Sequence, residues 1–187
     1  MKLGELLRNL DVLDASAAMD MEIGGVSYDS RETQPGDLFV AIRGFESDGH
    51  KFIPAAMARG AAAVLCEEAP SDGTPYVRVA DCRKGLAYVS REFFGDPAKE
   101  MTLIGITGTS GKTTSSYLIK HMLEMKLDAK VGLIGTNGNM IGSECLHSDH
   151  TTPESYELHK LFRRMADEGC THVVMEVSSH ALALERV

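Results

Sequence analysis

The first half of the chain alternates short apolar segments with segments whose apolar residues recur at helical spacing. Residues 1–14 belong to the second type, because their leucines lie three or four positions apart. Farther along, apolar runs predict strands at residues 26–28, 38–42, 62–65 and 76–79, and helical periodicity predicts helices at residues 53–59 and 84–94. This alternation predicts an α/β unit of modest size.

Both patterns break at residues 94–97, where Gly, Asp and Pro follow Phe94. We therefore divide the chain into a first domain, residues 1–98, and the beginning of a second domain, residues 99–187. The second domain starts with a predicted strand at residues 103–106, a loop of Gly, Thr and Ser, and a helix. One apolar face is predicted for that helix, formed by Leu118, Ile119, Met122, Leu123 and Met125.

The second domain continues with a predicted strand at residues 131–134 and a Gly-, Asn- and Ser-rich segment, residues 135–148, that predicts a loop or a short hairpin. Thr152 followed by Pro153 is typical of the N-cap and first position of a helix. The helix predicted there has an apolar face of Leu158, Leu161, Phe162 and Met165. A buried strand is predicted at residues 172–177, so the fold class of both domains is α/β.

The loop before the first helix of the second domain has the sequence Gly108-Thr109-Ser110-Gly111-Lys112-Thr113-Thr114. At such a strand-loop-helix junction, backbone N–H groups and the helix dipole converge on an anion. Lys112 is placed to reach the β- and γ-phosphates of a nucleotide, and the Thr113 hydroxyl to ligate Mg²⁺. The general motif requires Gly where this chain has Ile106, so the match is to a shorter G-T-x-G-K-T form.

The alternative for this loop is a Gly-rich turn that only caps the helix. Lys and Thr directly after Gly111 favour a nucleotide-phosphate site instead. Glu176 stands near the carboxyl end of a predicted buried strand, where open α/β sheets place their ligands. Beside a phosphate loop this position favours a Mg²⁺ ligand, and the alternative is an acid that faces solvent past the strand end.

Composition excludes some classes of partner. Of the 187 residues, 43% are hydrophobic and 25% are charged, as is typical of globular domains, and the net charge is −8. Without a basic surface, non-specific binding to nucleic acid or to an anionic membrane is disfavoured. The amino terminus lacks the unbroken apolar region of a signal peptide, and no stretch is long enough to span a bilayer. We therefore expect a cytoplasmic protein.

The cysteines are spaced widely along the sequence. None of the four forms a C-x-x-C pair, so neither a zinc site nor a disulfide framework is indicated. We expect four buried, reduced thiols: Cys66, Cys82, Cys145 and Cys170.

These motifs resemble the Mur ligase family. Residues 108–114 are similar to its nucleotide loop, and residues 175–182 to its E-V-S-S-H-x-L segment. The Thr-Thr-Pro-Glu sequence at 151–154, followed by E-V-S-S-H and Arg186, resembles the MurE branch; so do, in the first domain, residues 29–31, 35–41 and 48–50. The resemblance covers essentially the whole chain. It implies a UDP-binding N-terminal α/β domain followed by an incomplete P-loop ATP-binding α/β domain.

Carried over by position, the resemblance implies that Ser30 contacts the UDP moiety, that Thr151 and Thr152 hold the UDP-muramoyl substrate, and that Ser178 and Arg186 hold its peptide carboxylates. Each has a local alternative: Ser30 capping a turn, Thr152 capping its helix, Ser178 satisfying backbone groups, and Arg186 lying solvated at the surface. The chain departs from the family pattern at Ser110 and His150, where Asn is usual, and His180 has no assigned role.

The resemblance implies an ATP-dependent amide ligase of peptidoglycan synthesis with ATP and Mg²⁺ as cofactors. Its substrates would be UDP-MurNAc-L-Ala-D-Glu and a diamino acid, joined through an acyl phosphate, with Lys112 stabilising the transferring phosphoryl group. A carbamylated lysine, further Mg²⁺ ligands and an amino-acid-binding domain are expected outside these residues, so meso-diaminopimelate and L-lysine both stay open. We expect a monomeric full-length protein and an inactive fragment. A generic P-loop phosphotransferase and a binding-only module stay open as other classes.

Overall fold

The computed structural model describes residues 1–44, 47–148 and 150–187, which form two compact units, Met1–Phe93 and Phe94–Val187. The first unit contains the helices α1 (Leu3–Leu6), α2 (Ile53–Ala58) and α3 (Cys82–Phe93), and a 3₁₀ turn at Gly49–Phe52. Its strands are β1 (Asp14–Ala15), β2 (Gly25–Ser27), β3 (Asp37–Val40), β4 (Ala63–Cys66) and β5 (Tyr76–Arg78). They form one sheet in the order β1-β5-β4-β3-β2, parallel except for β1.

The sheet of the first unit is covered on both faces, which explains its continuous apolar strands. Phe39 of β3 and Val64 of β4 pack against Ile53 and Ala56 of α2. Helix α3 packs along β2, β3 and β4. The predicted strands and helices of this unit are present within one or two residues, but the leucine-rich start is helical only from Leu3 to Leu6.

The second unit contains a 3₁₀ turn at Pro97–Glu100 and the helices α4 (Lys112–Leu127), α5 (Ser155–Asp167) and α6 (Ser179–Ala183). Its strands are β6 (Thr102–Ile106), β7 (Val131–Gly135), β8 (Gly138–Ile141), β9 (Glu144–Leu146) and β10 (His172–Glu176). Their order is β6-β10-β7-β8-β9, with β6, β10 and β7 parallel and β7, β8 and β9 antiparallel. The α/β class is thereby confirmed, and residues 135–148 contain the hairpin that was one of two expectations.

Helices α4 and α5 lie on opposite faces of this sheet. Phe162 and Met165 of α5 pack with Ile134 and Met175, whereas the α4 side has a core of Val131, Leu133 and Val174. The predicted apolar face of α4 is only partly correct: Ile119 and Leu123 pack on that core, but Leu118, Met122 and Met125 are 58%, 61% and 70% exposed. The buried residues Ser116 and Lys120 occupy part of the side of the helix that faces the sheet.

The N-cap prediction for α5 is wrong. The helix begins at Ser155 with Glu154 as its N-cap residue, so Thr152 and Pro153 precede it. The Thr152 hydroxyl donates instead to the Glu176 carbonyl oxygen, 2.8 Å away at the end of β10. A hydrogen bond across the fold has replaced the local cap that the sequence suggested.

Among the described residues, no helix is long and apolar enough to cross a membrane.

Three of the four cysteines are buried as expected, but Cys145 on β9 is exposed, which corrects the prediction for that residue. It lies on β9, the strand at one end of the described sheet, where Glu144 and Cys145 are both exposed. All four thiols are free. Burial raises the pKa of Cys66 to about 11 and also raises the pKa values of Cys82 and Cys170.

We expect iodoacetamide at pH 8 to alkylate Cys145 at least about ten times faster than the other three thiols. When the pKa of a thiol is one pH unit higher, about tenfold less of it is present as the reactive thiolate. Burial also hinders access of the reagent to the thiol. Peptide mass mapping over a time course measures the four rates. Cys145→Ser should remove the fast phase, and equal labelling of all four cysteines would contradict the described burial.

Candidate nucleotide and cation site

The phosphate loop links the end of β6, Ile106, to the start of α4 at Lys112. Gly111 adopts φ +75°, a left-handed conformation that favours glycine, and stands at the N-cap position without a side-chain cap. The first N–H groups of this 16-residue helix therefore keep their capacity to bind an anion. Lys112 Nζ donates to the Gly108 carbonyl oxygen at 2.7 Å, which places the ammonium group over the loop.

Glu176 is the last residue of β10, and only 1% of it is exposed. It therefore does not face solvent, the alternative considered from sequence. Its Oε2 accepts hydrogen bonds from Thr113 Oγ1 at 3.1 Å and from Thr136 Oγ1 at 3.2 Å, and its Oε1 accepts one from Thr136 N at 3.1 Å. These bonds satisfy a carboxylate that would otherwise be costly to bury.

A carboxylate and a hydroxyl oxygen side by side fit the oxygen ligands that Mg²⁺ prefers. Thr113 and Glu176 supply these two groups at the start of α4 and the end of β10. No cluster of three or more His, Cys, Asp or Glu suited to a metal occurs within residues 1–44, 47–148 and 150–187. Mg²⁺ is commonly held by one or two protein oxygens together with nucleotide phosphates, and Thr113 and Glu176 could serve as such ligands.

The residues implied for the muramoyl substrate lie beside this carboxylate. Thr151 Oγ1 is 3.0 Å from Thr136 Oγ1. The Thr152 hydroxyl, besides its bond to Glu176 O, accepts from Ser178 N at 3.2 Å. The buried Thr152 therefore connects its own segment to residues 176–178 through hydrogen bonds and does not cap a helix.

Ser178 and Arg186 have local partners. Ser178 Oγ accepts from Ala181 N at 3.1 Å and caps α6, as its local alternative expected. Arg186 is half-buried, forms an ion pair with Glu154, and donates from Nη1 to Thr152 O at 3.3 Å. The guanidinium is therefore not simply solvated, because Glu154 already pairs with it.

Ser30 lies in the other unit, in the turn that follows β2. This turn is stabilised by Asp29, whose Oδ1 accepts from Arg31 N at 2.9 Å. The hydrogen bond from the Arg31 side chain lowers the pKa of Asp29 and keeps it ionised in this role. Ser30 itself is half-buried.

Two sequence profiles of one family match this chain. The profile described as Mur ligase middle domain matches residues 106–187, which include the phosphate loop and Glu176. The profile described as Mur ligase family, catalytic domain, matches residues 22–99. The chain belongs to the Mur ligase family.

Two of the relatives of this Mur ligase chain carry the same enzyme name. A protein of Chlorobium phaeobacteroides named UDP-N-acetylmuramoyl-L-alanyl-D-glutamate–2,6-diaminopimelate ligase is 48% identical over all of this chain and 38% of its own length. A solved structure of a ligase with the same name has a TM-score of 0.83 at 28% identity, over 100% of this chain and 37% of that one. The chain therefore spans about two fifths of the length of these relatives.

A third match concerns the nucleotide. The crystal structure of MurF ligase from Thermotoga maritima in complex with ADP is 27% identical, with a TM-score of 0.57, over 87% of this chain and 34% of that one. Its bound ADP is a property of that protein.

Thr136 is a residue of this Mur ligase site that the sequence motifs do not include. Its backbone N–H and hydroxyl both donate to Glu176, and its hydroxyl also meets Thr151. A signal was available, because Thr136 directly follows β7, and the carboxyl ends of neighbouring parallel strands meet at one edge of a sheet. The Gly-, Asn- and Ser-rich composition of residues 135–148 predicts only a connecting segment or hairpin, which does not single out one threonine.

Proposed function

We propose that the full-length protein carrying this chain is a cytoplasmic, ATP-dependent ligase of peptidoglycan synthesis that adds 2,6-diaminopimelate to UDP-N-acetylmuramoyl-L-alanyl-D-glutamate. The observation that carries the proposal is the phosphate loop, in which Thr113 donates a hydrogen bond to the buried Glu176. The curated relatives support the choice of diaminopimelate, since their names specify it. L-Lysine is the alternative amino acid for the test below.

The roles of the loop residues follow from their positions. Residues 108–114 would hold the phosphates of ATP through backbone N–H groups, with Lys112 placed to neutralise the β- and γ-phosphates. Glu176 and Thr113 would hold Mg²⁺. When bound, Mg²⁺ would offset negative charge on the phosphates. Lys112 is accordingly the residue that we propose as catalytic.

The chemistry requires an activated carboxylate, because a carboxylate oxygen is a poor leaving group. In the proposed reaction, the D-glutamate side-chain carboxylate attacks the γ-phosphorus of ATP, which gives an acyl phosphate and ADP. The amine of the diamino acid then attacks the acyl carbon, and inorganic phosphate leaves. Such reactions are accelerated by positioning of the reactants and by stabilisation of the developing charge, so no covalent side-chain nucleophile is needed.

The substrate side is assigned to two places. Ser30 would contact the UDP moiety in the domain of residues 1–98, and Thr151 and Arg186 would face the muramoyl peptide in the domain of residues 99–187. Thr152 and Ser178, whose hydroxyls are engaged locally, would serve this site by fixing the segments around it. Arg186 would exchange Glu154 for a substrate carboxylate, a partner of the same chemistry.

One assay tests the function as a whole. The full-length protein is mixed with MgATP, UDP-N-acetylmuramoyl-L-alanyl-D-glutamate, and either meso-diaminopimelate or L-lysine, and both ADP and the mass of the nucleotide product are measured. The proposal expects ADP and tripeptide product in equal amounts with meso-diaminopimelate. ADP release without an amide product would favour a phosphotransferase, and no ADP at all would favour a binding module.

We expect Ser30→Ala to raise the KM for the UDP substrate about 3- to 10-fold, the effect of losing one ordinary hydrogen bond, with little change in the KM for ATP. The two ligands would be held by different domains, so the effects should separate. Steady-state kinetics with each substrate varied in turn measures this. Ser71→Ala, at an exposed loop position, is the matched control. Equal weakening of both substrates would contradict the division of roles.

A further inference from the structure

Two of the hydrogen bonds to the carboxylate of Glu176 come from one residue, Thr136, which has no carboxylate of its own. Thr136 donates to both carboxylate oxygens, from its N–H to Oε1 at 3.1 Å and from its hydroxyl to Oε2 at 3.2 Å. Two bonds to the two oxygens fix the plane of the carboxylate as well as its position. A single bond would leave the group free to rotate about its last torsion.

The neighbouring residue restricts the same carboxylate sterically. A Cβ atom built on Gly135 would lie 2.3 Å from Glu176 Oε1, well inside any real contact distance. Only glycine therefore allows the carboxylate to approach the backbone at the end of β7. Gly135 leaves space for the buried side chain of Glu176, and the hydrogen bonds of Thr136 set the orientation of its carboxylate.

The direction of the hydroxyl bonds follows from the number of protons. Thr136 Oγ1 lies between Glu176 Oε2, at 3.2 Å, and Thr151 Oγ1, at 3.0 Å. A hydroxyl has one proton to donate, and an ionised carboxylate only accepts. Thr136 must therefore donate to Glu176 and accept from Thr151. A directed chain of hydrogen bonds runs from Thr151 through Thr136 to Glu176.

We propose that Thr136 is the positioning residue of the cation site, and that it orients Glu176 for Mg²⁺ while linking it to the substrate-side residue Thr151. The inference rests on the proposed function, in which Glu176 and Thr113 hold Mg²⁺ with ATP. Losing the Thr136 hydroxyl removes a hydrogen bond to a charged group and frees Oε2 from one of its two donors. Binding of MgATP should weaken, whereas binding of the UDP moiety, assigned to the domain of Ser30, should not.

The test uses the full-length protein with Thr136→Val, which removes only the hydroxyl, and Thr136→Ser, which keeps it. Calorimetric titrations with ATP at a series of MgCl₂ concentrations, without the UDP substrate, give the Mg²⁺ concentration for half-maximal ATP affinity. We expect Thr136→Val to raise that concentration about 10-fold or more, as for a hydrogen bond to a charged group, and Thr136→Ser to stay within about 3-fold of the wild type. Thr171→Val, at an exposed position outside the site, is the control and should change nothing.

Thermal unfolding without ligand separates positioning from folding. Each oxygen of Glu176 keeps one protein donor in these variants, Thr113 for Oε2 and Thr136 N for Oε1, so they should unfold within a few degrees of the wild type. If Thr136→Val does not fold, Thr136→Ala carries the same expectation, because it also deletes the hydroxyl and keeps the backbone N–H. Wild-type affinity and Mg²⁺ dependence in the hydroxyl-deleting variants would overturn this inference alone. No Mg²⁺-dependent ATP binding by the wild type would overturn the proposed function and this inference with it.

Discussion

Lys112→Ala in the full-length protein is expected to abolish ligation, with kcat/KM lower by at least about 100-fold, while the UDP substrate still binds normally. Removing one preorganised charge or donor from a transferring group typically costs this much or more. Lys112 lies over the phosphate loop, where its Nζ is 2.7 Å from the Gly108 carbonyl oxygen, and this loop belongs to the second unit. In the proposed function, the lysine charge would be needed on ATP and not on uridine.

Three measurements make this expectation specific. Product mass and ADP release report ligation, calorimetry with the UDP-muramoyl dipeptide reports substrate binding, and thermal unfolding reports the fold. Lys126→Ala is a matched control, because it removes a lysine from an exposed position in the last turn of the same helix. Near-normal turnover by Lys112→Ala would remove the basis for placing ATP at this loop. Loss of UDP binding in the same variant would show that its effect is not local.

The features that the sequence predicted well are those that depend on local pattern. The strand-loop-helix junction at Lys112 and the buried strand ending at Glu176 are examples, because apolar periodicity and glycine spacing specify them over a few residues. The α/β class follows from the same signals. The roles of the individual site residues remain predictions that the proposed experiments address.

The predictions that failed depended on contacts between distant segments. Thr152 has the composition of a helix cap, but its hydroxyl bonds to a residue 24 positions away. Nothing in the local sequence distinguishes these two uses of a threonine hydroxyl. Met122 fits the period of an amphipathic helix, yet it is exposed in the described unit, because periodicity identifies an apolar face without showing what covers it. Thr136 was missed for a related reason, since its importance comes from the buried carboxylate that it holds.

The final prediction is that residues 1–98, expressed alone, fold and bind the UDP-containing substrate weakly, whereas the 187-residue chain shows no ligase activity. The first unit, Met1–Phe93, has its own sheet with helices on both faces and its own buried cluster around Phe39 and Val64. Its core therefore does not require the second unit. Circular dichroism and calorimetry with the UDP-muramoyl dipeptide test these two properties.

The second unit gives the reason for expecting no turnover and for expecting self-association. Strand β6 lies at one end of the described sheet with Leu103 38% exposed, and Leu118, Met122 and Met125 leave an apolar surface on α4. Open strand edges and apolar patches of this kind favour association between copies. The further Mg²⁺ ligands and the amino-acid-binding domain implied by the family resemblance would also have to come from residues outside this chain. Light scattering over a concentration series should therefore show growth in mass for residues 1–187 and none for residues 1–98. Amide formation by the 187-residue chain, detected by product mass, would show that those further ligands and that domain are dispensable and would refute the proposed mechanism.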